Sequence, residues 1–185
     1  MPSSAKVPRR DKVRRMTTVA ILVTIGIVLH LVEASIPLPV QVPGVKLGLA
    51  NVVTLLAYFG VGRRDALAVA MLRVLLGSLL SGTLMTPTFF LSAGGAVSAF
   101  GVILIVDRIF KEKVGLPGIS ALASLGHVSG QLLVAAVLIN HPGIFLLAPL
   151  IYFSAVLTGF LTGLIADLVL RRLTALNLCH QRSII

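Results

Sequence analysis

A few polar side chains interrupt an otherwise apolar sequence. The stretch DALAVAMLRVLLGSLLSG, residues 65–82, carries one arginine, Arg73, at its centre. The stretch LGHVSGQL, residues 125–132, carries His127 and Gln131 four residues apart, which places both side chains on one face of a helix. An arginine and a histidine that share a cavity with Lys46 would bind an anion or a carbonyl-rich molecule, because all three present N–H donors.

Three further polar residues stand at the borders of apolar segments. Glu33 closes the first segment, Lys46 ends a proline-containing stretch, and Asn51 opens the second segment. In lipid a charge near the membrane centre costs about 2.5–3.5 kcal/mol on insertion scales, so such residues are typical of functional sites. We expect all six polar residues to converge in the outer half of the protein. A purely structural network, with Arg73 bonded to a helix carbonyl or to Glu33, is the alternative.

The composition indicates a membrane protein. Of the 185 residues 57% are hydrophobic and 12% are charged, whereas a soluble domain carries about 25% charged residues. The mean hydropathy is +1.03. We therefore predict an all-α integral membrane protein with a basic tail (1–15), a transmembrane domain (16–173) and a C-terminal tail (174–185).

The distribution of basic residues predicts the orientation. The net charge of +10 would suit nucleic acid, but fourteen of the sixteen basic residues fall before, between or after the apolar segments on alternate sides. This pattern follows the positive-inside rule and argues against a nucleic-acid surface. The fourteen residues are Lys6, Arg9, Arg10, Lys12, Arg14, Arg15, Arg63, Arg64, Arg108, Lys111, Lys113, Arg171, Arg172 and Arg182.

Hydropathy and turn residues divide the chain into six predicted transmembrane helices with both termini in the cytoplasm. The predicted segments are Val13–Glu33, Leu49–Gly60, Ala66–Met85, Phe89–Val106, Gly118–Ile139 and Ile144–Leu170, with a kink expected at Pro149. The first apolar stretch also resembles a signal peptide. Because it is longer than the usual 7–15-residue apolar region, we expect it to be retained as a helix.

The second segment is too short to span a bilayer alone. Its twelve residues would extend about 18 Å, against roughly 30 Å of hydrocarbon. Before it lies ASIPLPVQVPGVKLG, residues 34–48, whose prolines forbid a helix and predict an ordered outer loop or re-entrant cap. Either this loop enters the membrane or protein covers the helix, and both arrangements favour a nearby binding site.

Metal and phosphate chemistry are not indicated. The sequence lacks a GxxxxGK[ST] loop, and its acids, Asp11, Glu33, Asp65, Asp107, Glu112 and Asp167, are isolated in the sequence. We predict no metal and no cofactor, and we interpret Asp167 with Arg171 as a surface helix pair. The single cysteine, Cys179, excludes an intramolecular disulfide.

Four motifs together resemble a known family. PGVKLGLANVVTLLA (43–57), LRVLLGSLLSG (72–82), FFLSAGGAVSAF (89–100) and GHVSGQLLVAA (126–136) are similar to the Gx transporter family, also named heptaprenyl diphosphate synthase component I. The resemblance covers about residues 16–172. Where the family usually has asparagine after the histidine, this chain has Val128.

The resemblance implies three functions. The family resembles the substrate-binding (S) components of energy-coupling factor vitamin transporters, six-helix proteins of the prokaryotic plasma membrane that bind a small molecule beneath the loop after helix one. These dock on a transmembrane coupling subunit, with its ATPases, through an Ala-xxx-Ala pattern that Ala20 and Thr24 match in part. The alternatives are a non-catalytic membrane component of a prenyl diphosphate synthase, and a membrane partner of a flavin or quinone redox system.

Overall fold

In the part of the chain that the structure describes, six α-helices form a single bundle. A computed structural model describes residues 9–35, 48–110 and 113–175, and in these ranges there is no β-strand. The helices are α1 (Arg9–Ser35), α2 (Leu49–Gly60), α3 (Arg63–Leu80), α4 (Pro87–Phe110), α5 (Leu116–Ile139) and α6 (Ala148–Ala175). A 3-10 helix, Pro142–Leu147, precedes α6.

The observed helices follow the predicted segments closely, with two corrections. The third helix ends at Leu80 instead of Met85, because the chain turns at Gly82, whose φ of +66° favours glycine. The sixth segment is divided into the 3-10 helix and α6, so Pro149 lies in the first turn of α6 and not inside a longer helix. A proline is tolerated in a first turn, where its missing N–H has no helical acceptor.

Four stretches of the described chain are long and apolar enough to cross a membrane: 12–33, 87–110, 116–139 and 143–175. Helix α2, with 12 residues, is shorter than a spanning helix. Helix α3 carries Arg63, Arg64, Asp65 and Arg73 within its 18 residues, which lowers its hydropathy. The chain is therefore a membrane-type helical bundle, while a count of six membrane spans remains a prediction.

Protein covers the short helix α2. Val53, Leu55, Ala57 and Tyr58 are all buried, and α2 packs against α1, α3 and α6. This arrangement is one of the two predicted for so short a helix. Since neighbouring helices surround it, its ends need no direct contact with lipid.

Ion pairs join helix termini at the basic end of the bundle. Arg15 at the start of α1 makes two hydrogen bonds to Asp65 at the start of α3, at 2.7 and 2.9 Å. Arg63 Nη2 donates to Asp107 Oδ2 near the end of α4 at 2.6 Å, and the Tyr58 hydroxyl donates to the same oxygen at 2.7 Å. These contacts bring the predicted cytoplasmic ends of α1, α3 and α4 together. The predicted Asp167–Arg171 pair on α6 is confirmed, at 2.8 Å.

Small residues allow close contact among α4, α5 and α6. A Cβ atom at Gly163 of α6 would lie 2.5 Å from Pro117 Cα of α5, and one at Gly159 would meet Ser124. A Cβ atom at Gly130 of α5 would likewise meet Ser98 and the Gly94 carbonyl of α4. These small residues therefore lie at helix contacts, where they let the helix backbones approach closely.

Candidate functional site

A polar cavity lies at the centre of the bundle, away from the basic end. Its volume is about 40 Å³, enough for a few waters or a small anionic group. Every helix contributes to its lining, with Gly48 standing immediately before α2. The lining residues are His30, Glu33, Gly48, Asn51, Arg73, Val74, Ser92, Ser124, His127, Val128, Ala155 and Thr158.

Arg73 is the central charged side chain of this cavity. It is 4% exposed, and its Nε has no hydrogen-bond partner among the described residues. Among the described residues no carboxylate forms an ion pair with Arg73 within 4.0 Å, although Glu33 lines the same cavity and is near enough for its charge to act on the guanidinium. A buried guanidinium with a donor left over can bind an oxygen of an anion or a carbonyl group.

Glu33 instead holds the start of α2. Its Oε1 accepts a hydrogen bond from the Gly48 N–H. Gly48 adopts φ +72°, a left-handed conformation that favours glycine, and its carbonyl accepts from the Asn51 N–H at 2.8 Å. The end of α1 is thereby attached to the first turn of α2, which positions Asn51 at the cavity.

His127 and Gln131 share a face of α5, as their spacing predicts. A Cβ atom at Gly95 of α4 would lie 2.7 Å from His127 Cε1 and 2.9 Å from Gln131 Cγ, so both side chains pack over this glycine. His127 lines the cavity. Gln131 does not line it, although it is 3% exposed and its Oε1 has no partner among the described residues. Of these two candidate residues, therefore, His127 lies at the cavity and Gln131 lies beside it.

Sequence reasoning missed His30, Ser92, Ser124 and Thr158, which also line the cavity. His30 precedes Glu33 by three residues on the same helix face, and this spacing was a usable signal. The hydroxyl residues gave none, because serine and threonine in apolar helices often only bond to the preceding turn, as Thr158 does with the Ser154 carbonyl at 2.9 Å.

A second, smaller cavity lies on another side of Arg73. Its volume is about 10 Å³, close to the space of one water molecule. Arg73 and Asn51 line both cavities, and Thr54 lines the smaller one. Thr54 Oγ1 is buried with no hydrogen-bond partner among the described residues.

Two of the remaining predicted residues, Ala20 and Thr24, lie away from the cavity. Lys46, with most of the 34–48 loop, is outside the described residues. Ala20 and Thr24 are exposed on α1 and line a groove against α3, and the Thr24 hydroxyl donates to the Ala20 carbonyl at 2.9 Å. In the three described ranges, no group of three His, Cys, Asp or Glu side chains could hold a metal ion.

Comparison with known families assigns the chain. A family model described as heptaprenyl diphosphate synthase component I matches residues 22–169. The chain belongs to this family. Neither the curated proteins nor the solved structures contain a significant match.

The extent of the match includes the candidate site. In this member of the heptaprenyl diphosphate synthase component I family, the matched region begins in α1 and ends in α6, so it contains every residue that lines the central cavity. It also contains Thr24, whereas Ala20 lies just before it. The family description names a component of a synthase and assigns no catalytic residue.

Proposed function

We propose that this chain is a substrate-binding subunit of a prokaryotic plasma membrane, similar to the S components of energy-coupling factor transporters. It binds a small anionic or carbonyl-rich molecule, related to a vitamin or cofactor, in the central cavity beneath the 34–48 loop. The observation that carries this proposal is the buried Arg73, whose charge meets no carboxylate within ion-pair distance among the described residues.

The energetic argument concerns the cost of that charge. An arginine near the centre of a membrane helix costs about 2.5–3.5 kcal/mol on insertion scales, and leucine in its place would avoid this cost. A bound anion would offset it through charge-assisted hydrogen bonds, which the planar guanidinium makes with two donors at once. His127, His30 and Asn51 surround Arg73 in the cavity lining and would complete the contacts.

The volume of the cavity implies that binding changes the protein. Drug-sized ligands occupy cavities of roughly 300–1,000 Å³, and the central cavity has about 40 Å³. The cavity as it stands fits a carboxylate or phosphate group alone. A larger ligand therefore needs a rearrangement of the residues that line the cavity.

Topology and partners belong to the same proposal. Six spans, with both termini in the cytoplasm, would direct the basic end inward and the cavity toward the outer half of the membrane. The exposed Ala20 and Thr24 would dock on a transmembrane coupling subunit that is driven by ATPases. The protein itself would carry out no catalysis.

The proposal is tested on protein purified in mild detergent. Native mass spectrometry should detect a copurifying small molecule, and its removal should lower the melting temperature. Arg73→Lys keeps the charge without the planar fork, and Arg73→Gln removes both. Each variant should fold and bind at least tenfold more weakly, a loss of about 1.4 kcal/mol. Binding equal to wild type, or unfolding of both variants, would assign Arg73 a structural role.

The family description carries a second candidate function, a non-catalytic membrane component of a heptaprenyl diphosphate synthase. Prenyl transfer needs Mg²⁺ held by carboxylates, so a soluble partner subunit would supply the catalysis. The test is prenyl transfer by a soluble synthase subunit with Mg²⁺, measured with and without this protein. Turnover that depends on this protein would favour the synthase function over transport. A third function, as a membrane partner of a flavin or quinone redox system, predicts neither a copurifying small molecule nor an effect on prenyl transfer.

A further inference from the structure

A long groove runs between α1 and α3 on the outer surface of the bundle. Its volume is about 700 Å³, and it is distinct from the central cavity. On the α1 side the lining residues recur every three or four positions, which makes one continuous helix face. The lining residues are Lys12, Arg15, Met16, Val19, Ala20, Val23, Thr24, Ile27, Asp65, Leu72 and Leu76.

The length of the groove matches the thickness of one lipid leaflet. Lys12 and Ile27 are fifteen residues apart on α1, which corresponds to about 22 Å along the helix. A bilayer is about 40–45 Å thick with its head groups, so one leaflet is about 20–22 Å. A single phospholipid would therefore reach from one end of the groove to the other.

The polarity of the groove also matches a phospholipid. Its charged residues, Lys12, Arg15 and Asp65, lie at the basic end, and the rest of the lining is apolar apart from Thr24. Two hydrogen bonds pair Arg15 with Asp65, so these two charges neutralise each other. Lys12, exposed and in no ion pair with a described residue, leaves a positive charge at the mouth.

We propose that this groove is a binding site for one anionic phospholipid of the cytoplasmic leaflet. Its phosphate lies at Lys12, beside the Arg15–Asp65 pair, and one acyl chain lies along Val19, Val23 and Leu76. The bound lipid fills the groove between α1 and α3. This site is separate from the ligand cavity. It rests on the orientation in the proposed function and shares Ala20 and Thr24 with the docking surface proposed there, so the lipid occupies the groove while no coupling subunit is docked.

The chain offers a matched control surface. A second external groove of about 340 Å³ is lined by Phe90, Leu133, Val134, Val137 and Leu138, with no charged residue. It provides apolar surface for an acyl chain without a site for an anionic head group. Leu133, 60% exposed, is the position for the control substitution.

The experiment is native mass spectrometry of the delipidated, full-length protein with phosphatidylglycerol or phosphatidylcholine of identical acyl chains. Wild type should retain one phosphatidylglycerol about fivefold more strongly than phosphatidylcholine, the factor expected from one basic residue at the membrane surface. Lys12→Gln should abolish this preference. Ala20→Phe should fill the groove and reduce retention of both lipids, and Leu133→Phe should leave the preference unchanged.

Two results would overturn the lipid site. One is equal retention of the two lipids by wild type, or a preference that survives Lys12→Gln. The other is unchanged lipid retention in Ala20→Phe, accompanied by loss of a copurifying membrane subunit. That second result would assign the groove to a polypeptide partner.

Discussion

Arg73 of α3 lies directly across Gly26 of α1. A Cβ atom at Gly26 would stand 2.9 Å from Arg73 Cδ and 3.2 Å from Cγ. One turn further along both helices the glycine is on α3 and the large side chain is on α1. There His30 lies across Gly77, and a Cβ atom at Gly77 would stand 3.0 Å from His30 Cδ2. Gly26 and Gly77 thus leave the space that Arg73 and His30, two of the polar side chains that line the cavity, occupy between the helices.

Gly26→Ala should weaken ligand binding without unfolding the protein. The added methyl group displaces the middle of the Arg73 side chain, which is flexible enough to adjust, so the guanidinium changes position in the cavity. We expect the copurifying molecule to bind several-fold more weakly, measured by its retention in native mass spectrometry. A Gly26→Ala protein that binds like wild type would show that the position of Arg73 is not critical.

Gly101→Ala is the matched control for glycine substitutions. No atom lies within 4 Å of a Cβ atom there, and the residue is inside α4. The change should leave ligand retention intact and raise the free energy of unfolding by about 0.5–1 kcal/mol, because glycine is the poorer helix former. The melting temperature in detergent measures it.

Gly163→Ala should destabilise the contact of α6 with α5. The new methyl group would stand 2.5 Å from Pro117 Cα, a backbone atom, so the two helices must separate. We expect a loss of about 1–3 kcal/mol, the usual cost of overpacking. The prediction is tested by measuring the melting temperatures of Gly163→Ala and Gly101→Ala under the same conditions. Equal melting temperatures for the two variants would contradict it.

Tyr58→Phe should cost more stability than Tyr152→Phe. The Tyr58 hydroxyl donates to the Asp107 carboxylate at 2.7 Å, and hydrogen bonds to charged groups contribute about 1.5–3 kcal/mol. Among the described residues the Tyr152 hydroxyl is hydrogen-bonded to the Ser129 hydroxyl, at 3.0 Å, and a neutral bond contributes about 0.5–1.5 kcal/mol. Chemical unfolding of both variants measures the difference, and the reverse order would refute the assigned partners.

The proposed orientation predicts which loops react with an impermeant thiol reagent. In a Cys179→Ser background, a cysteine at the exposed Arg64 should be protected in intact cells, and one at the exposed Thr88 should be labelled. Both should react after the cells are permeabilised. Labelling of the Arg64 position from outside would exclude the orientation that we propose.

Composition and hydropathy alone determined the class of fold. Apolar segments bounded by proline, glycine and charged residues predicted six helices, and α2 has the predicted bounds, Leu49–Gly60. The i, i+4 spacing of His127 and Gln131 predicted a shared helix face. Such features are readable because helix formation and membrane solvation depend on local sequence and on its period.

The composition of the cavity depended on tertiary structure. Spacing on one helix could not tell that His127 lines the cavity while Gln131 lies beside it, nor that Glu33 bonds Gly48 instead of Arg73. These outcomes follow from how six helices rotate and approach one another, which small residues such as Gly26, Gly77 and Gly95 decide through contacts between distant parts of the chain. Hydropathy carries no information about those contacts, since lipid and protein surroundings are equally apolar to a helix.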